Sequence, residues 1–176
     1  MLVFREKGYH SASINDLGAA MELTAGSIYK AFSDKRGLFL QVFARHTSLR
    51  NQHLRLRLEQ QQNGRARVAE LLRFYLESAT DVEGRRGCLV VGSAIELQVL
   101  DAELAELVRD ALHRNLNGII SLLEIGQQDG SINRHHNVQA LSGILLCIVL
   151  GMRVAGKMQD LAAQDDLIAT ALTLLD

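Results

Sequence analysis

The chain has 176 residues, 48% of them hydrophobic but only 5% aromatic, and no proline, a composition that affords a sizeable core and favours helices over sheets. Its net charge of −1 is unevenly spread: residues 1–80 carry 12 Lys and Arg against 7 Asp and Glu, and the remainder carry 7 against 13, which suits one end facing nucleic acid. Two cysteines, Cys88 and Cys147, exclude a disulfide framework and point to a reduced, cytoplasmic protein. No signal-peptide layout is present, and the most apolar run, 13 residues from Ala140 to Met152, falls short of the roughly 20 that span a bilayer.

The first helix, Met1 to Lys7, is barely two turns long. Gly8 is a natural left-handed stop, after which Tyr9 packs back on Phe4. From Ser13 to Lys35 the sequence reads as a short helix, a tight turn, a second short helix and the start of a third. Ile14, Leu17 and Met21 lie on one helical face, and Leu23, Ile28 and Phe32 form a second stripe. Ser13 with Asp16 makes a capping box, and Thr24 caps the second helix. Helices of about two turns are not stable alone, so they pack together as a helix-turn-helix. The second helix begins with small or hydroxylic residues, Thr24, Ala25, Gly26 and Ser27, followed by Tyr29 and Lys30. Such a surface admits close approach to DNA, with hydroxyls, Tyr29, Lys30 and Lys35 directed at phosphate.

Phe4, Gly8-Tyr9, Ser13, Asp16-Leu17, Gly26-Ser27-Ile28-Tyr29, Phe32, Lys35 and Leu38 together resemble the N-terminal domain of the TetR family of transcriptional regulators. The G-[ST]-[IL]-Y-x-x-F-x-x-K spacing is the specific part, and the detailed match covers about 40 residues. The resemblance implies an all-α protein of about nine helices, with a helix-turn-helix DNA-binding domain at 1–45 and a larger ligand-binding and dimerisation domain at 46–176. It implies a homodimeric, ligand-released repressor of a palindromic operator in double-stranded DNA. It further implies DNA contacts by Ser13, Thr24, Ala25, Gly26, Ser27, Tyr29, Lys30 and Lys35. Three positions depart from the family: helix 1 is shorter, Ala12 stands where Thr is common, and Glu22 occupies a turn position usually held by Gly. The shortened helix leaves an alternative, a helical ligand- or partner-binding dimer that has lost DNA binding.

Beyond this domain, Ser33 is read as the cap of a helix running from Asp34 to about Gln62. Leu38, Val42, Phe43, His46 and Leu49 form its apolar face, and Arg45, Arg50, Arg55 and Arg57 its solvated one. Gly37 near its start is unusual. The domain boundary near residue 45 therefore lies inside a continuous helix that transmits tilt. Val68, Leu71, Leu72, Tyr75, Leu76 and Ala79 define the next helix. Residues 83–87 read as a loop, and Cys88, Val91, Ile95 and Val99 line a helix reaching Leu100. Asp101 caps a long helix ended by Asp129-Gly130. The helix from about Asn137 to Met158 has almost no polar face in its middle, so a second subunit is expected to cover it. The last helix runs from Gln164 to Leu175. Leu141, Leu145, Ile148, Met152, Ile168 and Leu172 are the expected dimer contacts.

No converging catalytic set is present. Cys88 has Leu and Val neighbours and reads as a buried structural thiol, and the adjacent His135-His136 pair is a poor chelator. The sequence is therefore read as a non-enzyme with no cofactor and no metal. Its most credible small-molecule site is an apolar cavity whose orienting groups are Tyr75, Glu96, His113 and Asn117, polar residues on otherwise apolar faces, holding an unknown effector.

Overall fold

The computed structural model describes residues 1–158, 161 and 164–176. Helix α1, Leu2–Ser11, is kinked rather than ended at Gly8, whose φ of 80° and ψ of 171° are non-helical. The Phe4 and Tyr9 rings stack across this kink at 6.3 Å. A Cβ at Gly8 would collide with the Glu96 carboxylate, so the position needs glycine for space as well as for its positive φ. Helix α2, Ile14–Met21, starts with the full Ser13–Asp16 capping box and closes on Glu22 in the left-handed region at φ 55°, ψ 38°. That conformation costs a non-glycine residue roughly 1 kcal/mol.

Helix α3, Ala25–Phe32, is capped by Thr24, whose hydroxyl accepts the Ser27 N–H. Helix α4, Lys35–Glu59, is capped by Asp34 rather than Ser33; Ser33 instead closes α3 with a φ of 68°. Gly37 has a steric reason: any Cβ there would run into the Phe32 carbonyl, where α3 and α4 meet. At 25 residues α4 is roughly 37 Å long, enough to reach from the helix-turn-helix into the rest of the molecule.

Helix α5, Gly64–Glu77, buries the predicted Val68, Leu71, Leu72, Tyr75 and Leu76. A short helix, α6, Asp81–Arg85, overlaps residues 83–87, the stretch read as a loop. Its glycine and charges hide a helical turn that lies close to Gly156, where Gly84 and Gly156 both abut the Ala79 carbonyl. Helix α7, Leu89–Ile95, is shorter than expected and buries Leu89, Val90 and Ser93, whereas Ile95 and Val99 are exposed. Helix α8, Ala102–Asp129, is capped by Asp101 and closed by left-handed Gly130, as the sequence indicates. Helix α9 is Val138–Met158, and α10, Gln164–Leu172, runs into a 3₁₀ turn at Thr173–Leu175. There are thus ten α-helices and no strand among the described residues, one helix more than the sequence reading, the addition being α6.

The side chains form two cores. The first holds Phe4, Leu17, Ile28, Leu38, Phe39 and Phe43 from the N-terminal helices, together with Leu89 from α7 and Leu104 and Val108 from α8. The second is mainly aliphatic, with Phe74 and Tyr75 from α5, and gathers α5, the C-terminal half of α8, α9, α10 and the far end of α4. The helix-turn-helix therefore shares its core with later helices, and α4 and α8 each pass through both cores.

Candidate functional site

Helix α3 is anchored by one fully buried residue, Ile28, and by half-buried Phe32. Everything else on it faces outward. Thr24, Ala25, Gly26, Ser27, Tyr29 and Lys30 are all exposed, Tyr29 by 51%. The Thr24 and Ser27 hydroxyls lie 3.0 Å apart at the helix start, so this end presents two hydroxyls beside the positive end of the helix dipole. Ser13 is exposed at the start of α2, but its hydroxyl is committed to Asp16. Lys7 binds the same carboxylate at 2.6 Å and, foremost among the causes, holds it well below the usual carboxylate range.

Lys35 departs from expectation. Its ammonium donates to the carbonyls of Tyr9 at 3.0 Å and His10 at 3.2 Å, and it sits over the Tyr9 ring. It therefore fastens the end of α1 to α4 instead of standing free for phosphate. Lys30 is the exposed lysine left on the face.

The four expected effector-binding residues do not converge. Tyr75 is buried, and burial raises its phenol above the ordinary value. It lines a small cavity of about 190 Å³ with Leu54, Leu58, Leu71, Arg114 and Ile119. His113 and Asn117 are exposed and do not line that cavity; Arg114, Asn115 and Gly118 do. Residues one position apart on a helix differ by about 100°, and the sequence alone did not fix the rotation of α8. Glu96 accepts the Tyr9 N–H at 2.9 Å and thereby ties α7 to α1.

Other polar links join the same regions. Arg36 binds Asp101 at 2.9 Å and also Glu103, joining the start of α4 to the start of α8. Arg5, 7% exposed, binds Glu83 at 2.8 Å and donates to the Gly87 carbonyl. Sequence periodicity held no signal for these links, because each joins residues more than 60 positions apart.

A larger cleft of about 720 Å³ opens among α1, α4, α5 and α9, lined in part by Val42, His46, Leu49, Arg50, Phe74 and Arg153. It was not anticipated. Arg50 and Arg57, read as part of a solvated face, turn into it, because the apolar stems of Arg side chains pack as readily as they extend. Cys88, read as a buried structural thiol, is half-buried and lines this cleft, while Cys147 is exposed on α9.

Of the residues expected at a dimer interface, three are buried and three are half-buried in this chain. Leu141, Leu145 and Ile168 are buried in this chain's own second core, and Ile148, Met152 and Leu172 pack against it. The uncovered face of α9 carries Ala140, Ile144, Cys147, Gly151, Val154 and Met158, spaced alternately four and three residues apart. Ile144 is 48% exposed and Met158 82%. By length and composition α9 could also cross a bilayer, but one face packs in the core and its Arg153 is buried within the fold. Among the described residues no group of three or more His, Cys, Asp or Glu side chains is placed to hold a metal ion.

Comparison with known proteins places this geometry. The model of the bacterial regulatory proteins of the tetR family matches residues 1–42, and the tetracyclin repressor-like C-terminal domain matches residues 64–172. The CifR regulator of the TetR family, solved as a cysteine mutant with 26-bp double-strand operator DNA, is 32% identical with a TM-score of 0.74, covering 98% of this chain and 89% of its own. A TetR regulator from Chloroflexus aurantiacus superposes with a TM-score of 0.85 at 22% identity, over 97% of this chain and 86% of that one. The transcriptional repressor ComR of Escherichia coli is 23% identical over 89% of this chain and 75% of its own length.

Proposed function

The chain belongs to the TetR family of bacterial regulatory proteins, and from that premise we propose that it represses transcription as an effector-released homodimer. Residues 1–45 are the DNA-binding unit and 46–176 the effector-binding and dimerisation unit. Two copies of α3, related by a two-fold axis, enter successive major grooves of a palindromic operator. Thr24, Ala25, Ser27 and Tyr29 meet base edges or phosphate, and Lys30 holds the backbone.

The observation that carries this reading is the exposure of α3: a helix fixed from beneath by Ile28 displays a small-residue, hydroxyl-rich face to solvent. CifR, whose structure includes operator DNA, supports the double-stranded partner. The apolar stripe from Ala140 to Met158 supports the dimer, since its large exposed side chains call for a cover. The continuous α4 supports release, because a ligand that tilts it changes the separation of the two recognition helices.

A gel-shift titration of the full-length chain with its own upstream intergenic DNA tests this reading. Sequence-selective, salt-sensitive binding is expected. Tyr29→Ala should weaken it by roughly tenfold or more, and Lys30→Ala should lower the salt slope by about one. Absence of selective binding, or two variants indistinguishable from the parent, would leave only a ligand- or partner-binding dimer.

A further inference from the structure

Five arginines line the large cleft, and they are unequally answered. Arg5 is held by the Glu83 carboxylate and the Gly87 carbonyl, and Arg57 by Glu70 and Glu77. Arg45 is exposed to solvent. Arg50 and Arg153 have no ion pair among the described residues. Arg50 donates to Ser78 Oγ at 3.0 Å, and Arg153 to the Gly87 carbonyl at 3.1 Å. This leaves Arg50 Nη2 and Arg153 Nε and Nη1 buried without a hydrogen-bond partner. Arg153 is only 3% exposed. The neighbouring Cys88 thiol is at best a weak acceptor.

A buried guanidinium with open donors is an unusual and costly arrangement. Here the two cations also feel each other's charge. Arg50 is held in place by aromatic faces, its guanidinium 4.5 Å from the Phe74 centroid and 4.9 Å from that of Tyr75. The rest of the wall includes Val42, Leu49 and Phe74, which offer nothing to an inorganic anion. The volume falls within the roughly 300–1,000 Å³ of small-molecule sites.

Resting on the effector-release reading above, we infer that the cleft takes a small organic carboxylate, its two oxygens received by Arg153 and Arg50 and its apolar body laid against Val42, Leu49 and Phe74. A planar carboxylate matches the fork of N–H donors that a guanidinium presents. The site also explains how an effector reaches the DNA-binding unit. Met1 and Arg5 of the N-terminal segment and Val42 to Arg57 of α4 form one side, and α5 and α9 the other. A ligand bridging Arg50 and Arg153 therefore pulls α4 against α9.

Isothermal titration of the full-length chain with a panel of linear six- to twelve-carbon carboxylates and arylalkanoates is the test, run beside the corresponding neutral amides and inorganic phosphate. At least one carboxylate should bind roughly tenfold or more tightly than its amide, and R153M and R50M should each weaken it by roughly tenfold or more. The ligand-free R153M chain should melt at or above the parent, which separates loss of binding from loss of folding. Equal binding of acid and amide, indifference to both substitutions, phosphate binding as tightly as the best carboxylate, or no binding across the panel would each overturn the inference. Calorimetry without DNA keeps the two proposals apart. Carboxylate binding that leaves the operator complex intact in a gel shift refutes effector release and not the cleft.

Discussion

The two cores of this molecule are built from different materials. The first is aromatic at its centre: Phe39 touches the rings of Phe4, Tyr9 and Phe43 at centroid distances of 5.1, 4.9 and 5.6 Å. Polar links surround it, namely Glu96 to Tyr9, Lys35 to the Tyr9 and His10 carbonyls, and Arg36 to Asp101. The second is made mostly of Leu, Ile and Val and has an uncovered apolar face on α9. Helices of about two turns bury little surface each, so α2 and α3 rest on the rings that α1 and α4 supply, while the polar links fasten α1 and α4 to each other and to α7 and α8. The long helices α8 and α9 bury continuous stripes, and the second core has polar links of its own, from Arg57 to Glu70 and Glu77 and from Arg65 to Asp176. Because α4 and α8 run through both, the cores are distinct in composition and joined in mechanics.

Substitutions at the two centres press hardest on this contrast. Phe39→Ala should cost about 3–5 kcal/mol and Leu145→Ala about 2–5 kcal/mol. Both residues are fully buried. If α4 and α8 couple the cores, each variant melts in one transition by circular dichroism; two resolved transitions would show that the cores unfold separately. Next is the uncovered face. Replacing Ile144 and Val154 together by Glu should weaken the proposed dimer by about 100-fold or more in sedimentation equilibrium. The same pair should leave secondary structure intact, since both residues are exposed.

A smaller effect tests the links around the first core. Gly8→Ala introduces a Cβ into the Glu96 carboxylate at a residue of positive φ. A loss of roughly 1–3 kcal/mol in urea denaturation is expected. Unchanged stability would mean that the tie from α7 to α1 is slack.

The effect that is smallest at neutral pH comes from a titrating group. Burial, aided by the charges of Arg50, Arg5 and Arg153, lowers His46 to about 4. The unfolded chain takes up this proton near the ordinary histidine value of about 6.5, while the folded chain resists until about 4. Stability from this group is therefore complete above about 6.5 and is lost progressively as pH falls through that window. His46→Gln should flatten the corresponding part of the stability–pH curve; an unchanged slope would show that His46 titrates normally.

Much of the fold was readable in advance, and the reasons are local. The Ser13–Asp16 capping box, the Thr24 cap, the Asp101 cap and the Gly130 stop depend on residues within a few positions of one another. The buried stripe of α5 depends on period alone. The misreadings have the opposite character. Helix α6 owes its place to its proximity to α9, and Ile95 and Val99 are apolar residues that the fold leaves outside. Phe39 is not among the apolar residues that periodicity picks out on α4, although its spacing of four from Phe43 places it on the inner face.

The sequence by itself determined the helical class, the caps and turns, the family motif and the outward display of α3, because periodicity and short-range hydrogen bonds are set by neighbours along the chain. It could not determine which side of α9 meets its own core, since both sides are apolar and a period carries no sign. Nor could it decide that Arg50 and Arg153 face a common cleft, or that Lys35 and Glu96 serve as fasteners. Those assignments came from packing, where the rotation of one helix against another decides which long side chains meet, and only the tertiary structure contains that rotation.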